Sequence, residues 1–161
     1  AAEALKNYEG IYRRHQIIGQ KNNVWLIDDY AHNPAKCAAS IEACQPIAKK
    51  VIAWFQPHGY GPLRQMGEEL AQTFARELSP DDITIMCDPV YFGGTVDRSV
   101  GSERITALIT ANGGKAEHIP LRDDCADRIV ALARPGDRIV VMGARDDTLT
   151  EFARSILARL A

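Results

Sequence analysis

Seven consecutive residues combine acids, an imidazole and helix-capping side chains in a pattern suited to ligand chemistry. The apolar run 24–27 is followed by the segment Asp28-Asp29-Tyr30-Ala31-His32-Asn33-Pro34. Asn33 is a good helix cap, and Pro34 suits the first position of a helix. The segment therefore predicts a strand, a short polar loop and a helix start whose unpaired N–H groups face a ligand, with a phosphate-bearing molecule as the first candidate.

The acids of this segment have two interpretations. Asp28 and Asp29 have the oxygens to hold a cation or a ribose hydroxyl, and His32 can donate to a phosphate or a reaction intermediate. The alternative is structural, because acids near a helix start cap the helix and complement its dipole. The segment alone leaves both interpretations open.

A second polar loop directly follows another apolar run. Residues 55–64 read Phe-Gln-Pro-His-Gly-Tyr-Gly-Pro-Leu-Arg, which places His58, Tyr60 and Arg64 within about two helical turns. Arg64 has the geometry to clamp a carboxylate or phosphate in a bidentate way. The structural alternative is a turn shaped by glycine and proline with an arginine on the surface.

Two further loops carry weaker signals. Loop 88–95 contains a glycine pair and two aromatic residues but is typical of an irregular connection. In loop 143–148 we expect Asp147 or Thr148 to cap a helix and Gly143 to allow a close backbone approach. Neither loop is assigned to the site.

The cysteines and the two remaining histidines predict packing rather than metal or redox chemistry. The four cysteines are Cys37, Cys44, Cys87 and Cys125. They form no Cys-x-x-Cys pair and are too sparse for a disulfide scaffold. Cys37, Ile41, Cys44 and Ile47 share helical spacing, so we expect both cysteines to point into the core beside the isoleucines. His15 and His118 fall in or near predicted strands, where packing or exposure is the expected role, and no metal site is assigned.

Composition favours a single globular domain that acts on small molecules. The chain has 161 residues, of which 46% are hydrophobic and 25% charged, enough to bury a core. Its formal charge of -2 argues against nucleic acid as a partner. We expect no membrane segment and no signal peptide, and therefore a cytoplasmic location. The start without methionine suggests a piece excised from a longer protein.

Short apolar strands alternate with helices along the chain. Predicted strands cover residues 14–19, 24–28, 51–55, 83–87, 116–119 and 138–142, and predicted helices cover residues 34–48, 63–78, 101–111, 123–133 and 149–160. Crossover helices join parallel strands, so the order predicts an α/β fold, a Rossmann-like three-layer sandwich with about six mostly parallel strands. Ligands bind at the carboxyl ends of such strands, where the polar loops should converge.

The two polar loops resemble the motifs of a known enzyme family. The segment 29–34 resembles the C-terminal-domain motif of the Mur ligases and the related folylpolyglutamate synthases. The Gln-Pro-His at 56–58, followed by Tyr60 and Arg64, is similar to the branch that joins L-alanine, or a peptide in cell-wall recycling, to UDP-N-acetylmuramate. The likeness spans nearly the whole chain.

The resemblance implies an ATP-dependent, ADP-forming amide ligase. In this family a carboxylate is phosphorylated to an acyl phosphate, which an amine then attacks. The C-terminal domain closes over a central ATPase domain, which binds most of the ATP and Mg²⁺, and an N-terminal UDP-binding domain completes the chain. Residues 1–12 would then be the remnant of an inter-domain linker, and residues 13–161 the C-terminal domain.

The resemblance also implies roles for individual residues. Asp29 would contact the ribose or phosphate region of the nucleotide, and His32 the phosphates. The residues implied near the incoming amino acid and the substrate carboxylate are Tyr30, His58, Tyr60 and Arg64. His32 and His58 are the implied catalytic residues.

Two departures from the family pattern bear on activity. The glycine-rich phosphate loop of the central domain is absent from these 161 residues, so we expect the chain not to use ATP unaided. Gly59 and Pro62 stand where alanine-adding enzymes usually carry arginines, which leaves the amino acid and the acceptor open.

Two other functions were weighed against the ligase. A phosphoacceptor, receiver-like domain also has acid pairs at strand ends, but it needs a lysine after its last strand, where this chain has Arg145. A free-standing nucleotide-binding module is the other alternative. We expect weak or undetectable ATP binding without a partner domain.

Overall fold

Six strands and five α-helices make up the parts of the chain that the computed structural model describes, which are residues 13–90, 97–144 and 146–161. The strands are β1 (Gln16–Lys21), β2 (Val24–Asp29), β3 (Val51–Gln56), β4 (Ile83–Met86), β5 (Ala116–His118) and β6 (Arg138–Gly143). The helices are α1 (Pro34–Cys44), α2 (Tyr60–Glu77), α3 (Ser102–Ala111), α4 (Arg122–Leu132) and α5 (Thr148–Arg159). The predicted linker, residues 1–12, lies outside the described residues, as do residues 91–96 and Arg145.

The strands form one sheet in the order β1-β2-β6-β3-β4-β5. The edge strand β1 pairs with β2 in an antiparallel hairpin, and every other pair is parallel. Asn22 and Asn23 close the hairpin with φ of 51° and 62°, the left-handed conformation that asparagine tolerates in tight turns. The predicted Rossmann-like α/β fold is confirmed.

Helices cover both faces of the sheet and bury the central strand on both sides. All six residues of β3 are buried. Ala53 and Phe55 pack with the apolar faces of α1, α2 and α3, whereas Ile52 and Trp54 pack with α4 and α5. This alternation explains why β3 is a continuous apolar run in the sequence rather than an alternating one.

The cysteines pack in these two cores as free thiols. Cys37 and Cys44 lie in the first core, as their helical spacing predicted, and Cys87 and Cys125 lie in the second. Ile47 is instead 63% exposed, because the α-helix ends before it and a 3-10 turn changes the direction of its side chain. Among the described residues, no helix combines the length and the apolar character needed to cross a membrane.

Two helix boundaries differ from the sequence prediction by three residues or more. The first helix ends at Cys44 rather than at residue 48, and a 3-10 turn, Gln45–Ile47, follows it. Pro46 has no N–H to continue the α-helical hydrogen bonds, which explains the early end. Helix α2 begins at Tyr60 instead of residue 63, because Gly59, with φ of 90°, turns the chain directly into the helix.

Candidate functional site

The sheet order brings the loops after β2, β3 and β6 to one place. Strand β6 lies between the other two and pairs Asp29 with Met142 on one side and Gln56 with Gly143 on the other. The three carboxyl ends are therefore level. The two polar loops singled out from the sequence flank the end of β6.

The structure brings His32 and His58 together in one pocket of about 410 Å³, which we call the histidine pocket. Its lining consists of Tyr30, His32, Phe55, Pro57, His58, Pro62, Leu63, Met66 and Ala144. Most of these side chains are apolar, and both histidines are half-buried. A pocket of this kind combines water exclusion with a few groups able to bond a ligand.

The geometry of the first loop indicates which ring nitrogen of a neutral His32 carries the proton. Its Nδ1 lies 3.1 Å from the backbone oxygen of Tyr30, and the two rings meet edge to face with centroids 5.6 Å apart. A carbonyl only accepts, so Nδ1 carries the proton and Nε2 is the nitrogen left for a ligand. Asn33 caps α1 as predicted, accepting a 2.9 Å hydrogen bond from the backbone N–H of Lys36.

Asp29 lies in a second pocket of about 390 Å³, the aspartate pocket. This pocket is lined by Arg14, His15, Asp29, Tyr30, Ala31, Lys36, Ala39, Ser40 and Ala43. Ser40 donates a 2.7 Å hydrogen bond to Asp29 Oδ2, and the backbone N–H of Ala31 donates to Oδ1 at 3.1 Å. His15 Nδ1 lies 3.7 Å from Asp29 Oδ2, so this partly exposed histidine lies at the edge of the pocket.

Asp28 has a structural role, whereas the role of Asp29 remains a prediction. Its side chain is buried, and it accepts hydrogen bonds from Arg13 Nε at 3.2 Å and Thr150 Oγ1 at 2.6 Å. Arg13 also donates to the backbone oxygens of Gly143 and Asp146. A carboxylate enclosed in this way is not available to accept a phosphoryl group, as the receiver-like alternative requires.

Arg64 and Tyr60 lie outside the lining of both pockets. Arg64 donates to the backbone oxygen of Asp97, and its Nε lies 3.9 Å from Asp97 Oδ2. The guanidinium of Arg98 lies over the Tyr60 ring, 5.7 Å from its centroid. The structure therefore does not bring these two predicted substrate residues together with His32 and His58, and their role remains a prediction.

A polar network beside the histidine pocket was missed by the sequence reasoning. Asp146 accepts a 2.8 Å hydrogen bond from Gln56 Nε2 and a 2.9 Å hydrogen bond from the backbone N–H of Thr148. It also forms an ion pair with Arg122. Arg122 also donates to Gln56 Oε1 at 2.8 Å. Asp146 thus caps the start of α5, the role expected of Asp147 or Thr148, and Asp147 makes no side-chain capping bond.

This network predicts a loss of stability in acid. Burial raises the pKa of Asp146, but hydrogen bonds from Thr148 and Gln56 and the charge of Arg122 outweigh it, so the pKa lies below its usual value. The unfolded chain then binds more protons than the folded one near pH 4 and below, and stability falls as the pH falls through the folded pKa. Urea unfolding between pH 7 and pH 3 should show this loss.

The asparagine variant of Asp146 tests the source of that loss. Asp146→Asn should unfold at lower urea concentration at pH 7 and show a smaller further decrease on acidification. Asp81→Asn, which changes an exposed acid at the opposite edge of the sheet, is the matched control for the removal of one charge. An equal acid-induced decrease in wild type and Asp146→Asn contradicts the assignment.

Gly143 explains how the loop after β6 approaches its neighbours. A Cβ at this position would lie 2.7 Å from Leu149 Cδ1 and 3.3 Å from the backbone oxygen of Gln56. The close backbone approach predicted for Gly143 is therefore confirmed. It lets the end of β6 fit between the two polar loops.

Together, the sheet and its pockets define a Rossmann-like domain whose histidine and aspartate pockets lie at the carboxyl ends of parallel strands, where ligands bind in such folds. The family model described as "Mur ligase, glutamate ligase domain" matches residues 13–145. The chain belongs to this family. Its resemblance at the two polar loops is thereby confirmed at the level of the family.

Individual relatives agree with this assignment. UDP-N-acetylmuramate–L-alanine ligase of Pelotomaculum thermopropionicum is 35% identical over 147 residues, which cover 90% of this chain and 31% of the relative. The same enzyme of Agrobacterium fabrum is 32% identical over 161 residues, which cover 98% of this chain and 33% of the relative. The chain spans about a third of the length of these relatives.

A solved structure shows the same fold in a whole enzyme. UDP-N-acetylmuramate-alanine ligase of Thermotoga maritima matches 98% of this chain and 32% of its own, with a TM-score of 0.70 and 21% sequence identity. The match therefore falls on about a third of that enzyme. At this identity the comparison concerns the fold alone.

Proposed function

We propose that this chain is the C-terminal domain of an ATP-dependent amide ligase acting on UDP-N-acetylmuramate or a related cell-wall precursor. The parent enzyme would phosphorylate a carboxylate, releasing ADP, and an amine would displace phosphate from the acyl phosphate. The observation that carries the proposal is the meeting of His32 and His58 in one pocket, each from a loop that matches a family motif.

The rest of the parent enzyme would supply the parts that this chain lacks. Its relatives are about three times as long, which leaves room for a central ATPase domain and an N-terminal UDP-binding domain. The central domain would hold most of the ATP and Mg²⁺, and the parent would act in the cytoplasm, where ATP is available. Residues 1–12 would form the linker, and residues 13–161 the C-terminal domain.

The aspartate pocket would take part of the nucleotide. Both oxygens of Asp29 are held in place by donors, and a carboxylate held in this way can accept a further hydrogen bond from a ribose hydroxyl. Arg14 and Lys36 line the same pocket and supply positive charge suited to phosphates. The pocket therefore joins a hydroxyl acceptor to an anion-binding rim.

The histidine pocket would face the reacting groups. Tyr30 lines both pockets, so the nucleotide and the reacting carboxylate would lie side by side. His32 can donate from Nε2 to a phosphate oxygen when its ring is protonated. Closing this apolar pocket over an acyl phosphate would exclude the water that otherwise hydrolyses it, which leaves the amine as the nucleophile.

Arg64 would join the site after a local rearrangement. Its present partner, Asp97, is exposed, and an exposed ion pair contributes at most about 1 kcal/mol. Binding of a substrate carboxylate, with two hydrogen bonds to the guanidinium, would repay the loss of that pair. Tyr60, at the start of α2, would move with the same segment.

Alanine variants of Asp29 and His32 in the full-length parent test the proposal. Asp29→Ala should raise the KM for ATP about ten- to a hundredfold, because a hydrogen bond to a charged group is lost. His32→Ala should lower kcat about a hundredfold. Steady-state assays of ADP release and amide formation measure both effects.

The control is Asp81→Ala, an exposed acid in the turn before β4, which should leave both parameters as in the wild type. Circular dichroism should show that all three variants are folded. Unchanged ATP-dependent ligation in both site variants would disprove the assignment of the site.

A further inference from the structure

Three ligand-bearing side chains converge at a place separate from both pockets. Asp88 follows β4, Glu103 lies in the first turn of α3, and His118 ends β5. One ligand atom from each lies within 4.8 Å of the other two. Strands β4 and β5 form the far side of the sheet from β2 and β6, so this cluster is not part of the histidine or aspartate pocket.

The backbone around the cluster is held in place. Met86 pairs with His118 across the two strands, and the pairing continues past the strand ends through a 3.1 Å hydrogen bond from the N–H of Asp88 to Pro120 O. Ser102 Oγ donates to the backbone oxygen of Cys87 at 2.6 Å, which ties the start of α3 to the residue before Asp88.

A glycine leaves the space that the Glu103 carboxylate occupies. A Cβ at position 101 would lie 2.6 Å and 2.9 Å from the two Glu103 carboxylate oxygens. The carboxylate of Glu103 therefore lies over Gly101, close to the ligand atoms of Asp88 and His118, although the residue itself is exposed. Any larger residue at position 101 would displace it.

The charges in the cluster are unbalanced. Two carboxylates lie beside one imidazole, whose Nε2 is 2.6 Å from Asp88 Oδ1. A divalent cation would neutralise both carboxylates at once, which a surface ion pair with one histidine does not.

We propose that Asp88, Glu103 and His118 bind a divalent transition-metal ion of the zinc type. The ligands would be one oxygen from each carboxylate and Nε2 of the imidazole, with water in the fourth position. Tetrahedral zinc places such ligand atoms about 3.4 Å apart, so small side-chain rotations suffice. The nitrogen ligand favours zinc over Mg²⁺, which prefers an octahedron of oxygens.

Calorimetric titration of the chelator-treated chain with ZnCl₂ tests the site. We expect one equivalent to bind to the wild type, and the affinity to fall at least about tenfold in each of Asp88→Asn, Glu103→Gln and His118→Gln. His15→Gln, which removes another histidine close to an acid, is the matched control and should bind as the wild type does. MgCl₂ should bind far more weakly than ZnCl₂.

A spectroscopic measurement checks the ligands directly. On addition of Zn²⁺, the imidazole NMR signals of His118 should shift, while those of His15 should stay in place. The absence of saturable zinc binding by the wild type, or an equal affinity in His118→Gln, would overturn the proposal. Neither measurement depends on ligase activity, so this site and the proposed function stand or fall separately.

Discussion

Replacing Arg13 with methionine is expected to lower the free energy of unfolding by about 3–5 kcal/mol, because the buried carboxylate of Asp28 loses its positively charged partner. Arg13 and Asp28 are 2% and 0% exposed, and both Asp28 oxygens lie 3.2 Å from Arg13 Nε. Methionine fills only part of the space of the arginine side chain and carries no charge. The variant therefore removes the ion pair and the bonds to two backbone oxygens, and it leaves the space of the guanidinium unfilled.

Urea unfolding of the wild type and two further variants completes the measurement. Arg14→Met changes the exposed neighbour and should shift stability by less than about 0.5 kcal/mol. In the double variant Arg13→Met/Asp28→Asn the unpaired negative charge of Asp28 is also removed, so part of the lost stability should return. A loss below about 1 kcal/mol in Arg13→Met would show that water or another group compensates Asp28.

Deleting residues 13–161 from the parent enzyme should reduce amide formation by about a thousandfold or more, since the acyl phosphate would lie open to water and the amine would lose its positioning. We also expect the chain by itself to show no ATP hydrolysis and no ATP binding at millimolar concentration. Amide product measured by mass spectrometry, and calorimetry with ATP, give the two readouts.

The matched comparison adds the separate chain back to the truncated parent. Partial recovery of ligation would show that the truncated enzyme is folded and lacks only this domain. Ligation at the full rate without residues 13–161 would rule out the proposed function, and tight ATP binding by the chain alone would favour a free-standing nucleotide-binding module.

The fold was predictable because its signals are local. Each buried strand is a short apolar run, each helix begins or ends near proline, glycine or a capping residue, and their alternation dictates a parallel sheet. The largest errors lie at two helix ends, and the first strand is also shifted, to Gln16–Lys21 from the predicted 14–19. Gly59 and Pro46 set those two helix ends, and their effects depend on backbone angles that the sequence alone does not specify.

The site was predictable only in part, because its decisive contacts join distant parts of the chain. Asp28 and Asp29 look equivalent in sequence, yet Asp28 is bonded to Arg13, 15 residues away, and to Thr150, 122 residues away. Asp29 bonds instead within its own loop and to the following helix, at Ser40. Local spacing therefore identified the loop, but it did not show that Asp28 is buried in an ion pair while Asp29 faces a pocket.

The spatial neighbours of His118 and Arg64 were not predictable for the same reason. His118 looked like an ordinary strand residue, since nothing near it in sequence reveals that Asp88 and Glu103 share its end of the sheet. Arg64 was assigned to a ligand from its position after the Gln-Pro-His segment. Its actual neighbour, Asp97, is 33 residues away and lies in a different loop.

The four buried cysteines can be used to detect local unfolding of the domain, because they are free thiols. Burial raises the pKa of Cys44 and Cys125 to about 11 and also raises the pKa of Cys37 and Cys87. Alkylating reagents attack the thiolate. In the folded domain the thiols are therefore protected twice, because they are buried and because they stay protonated. Two cysteines lie in the core on each side of the sheet. The position of the first alkylated cysteine therefore shows which layer of helices separates from the sheet first.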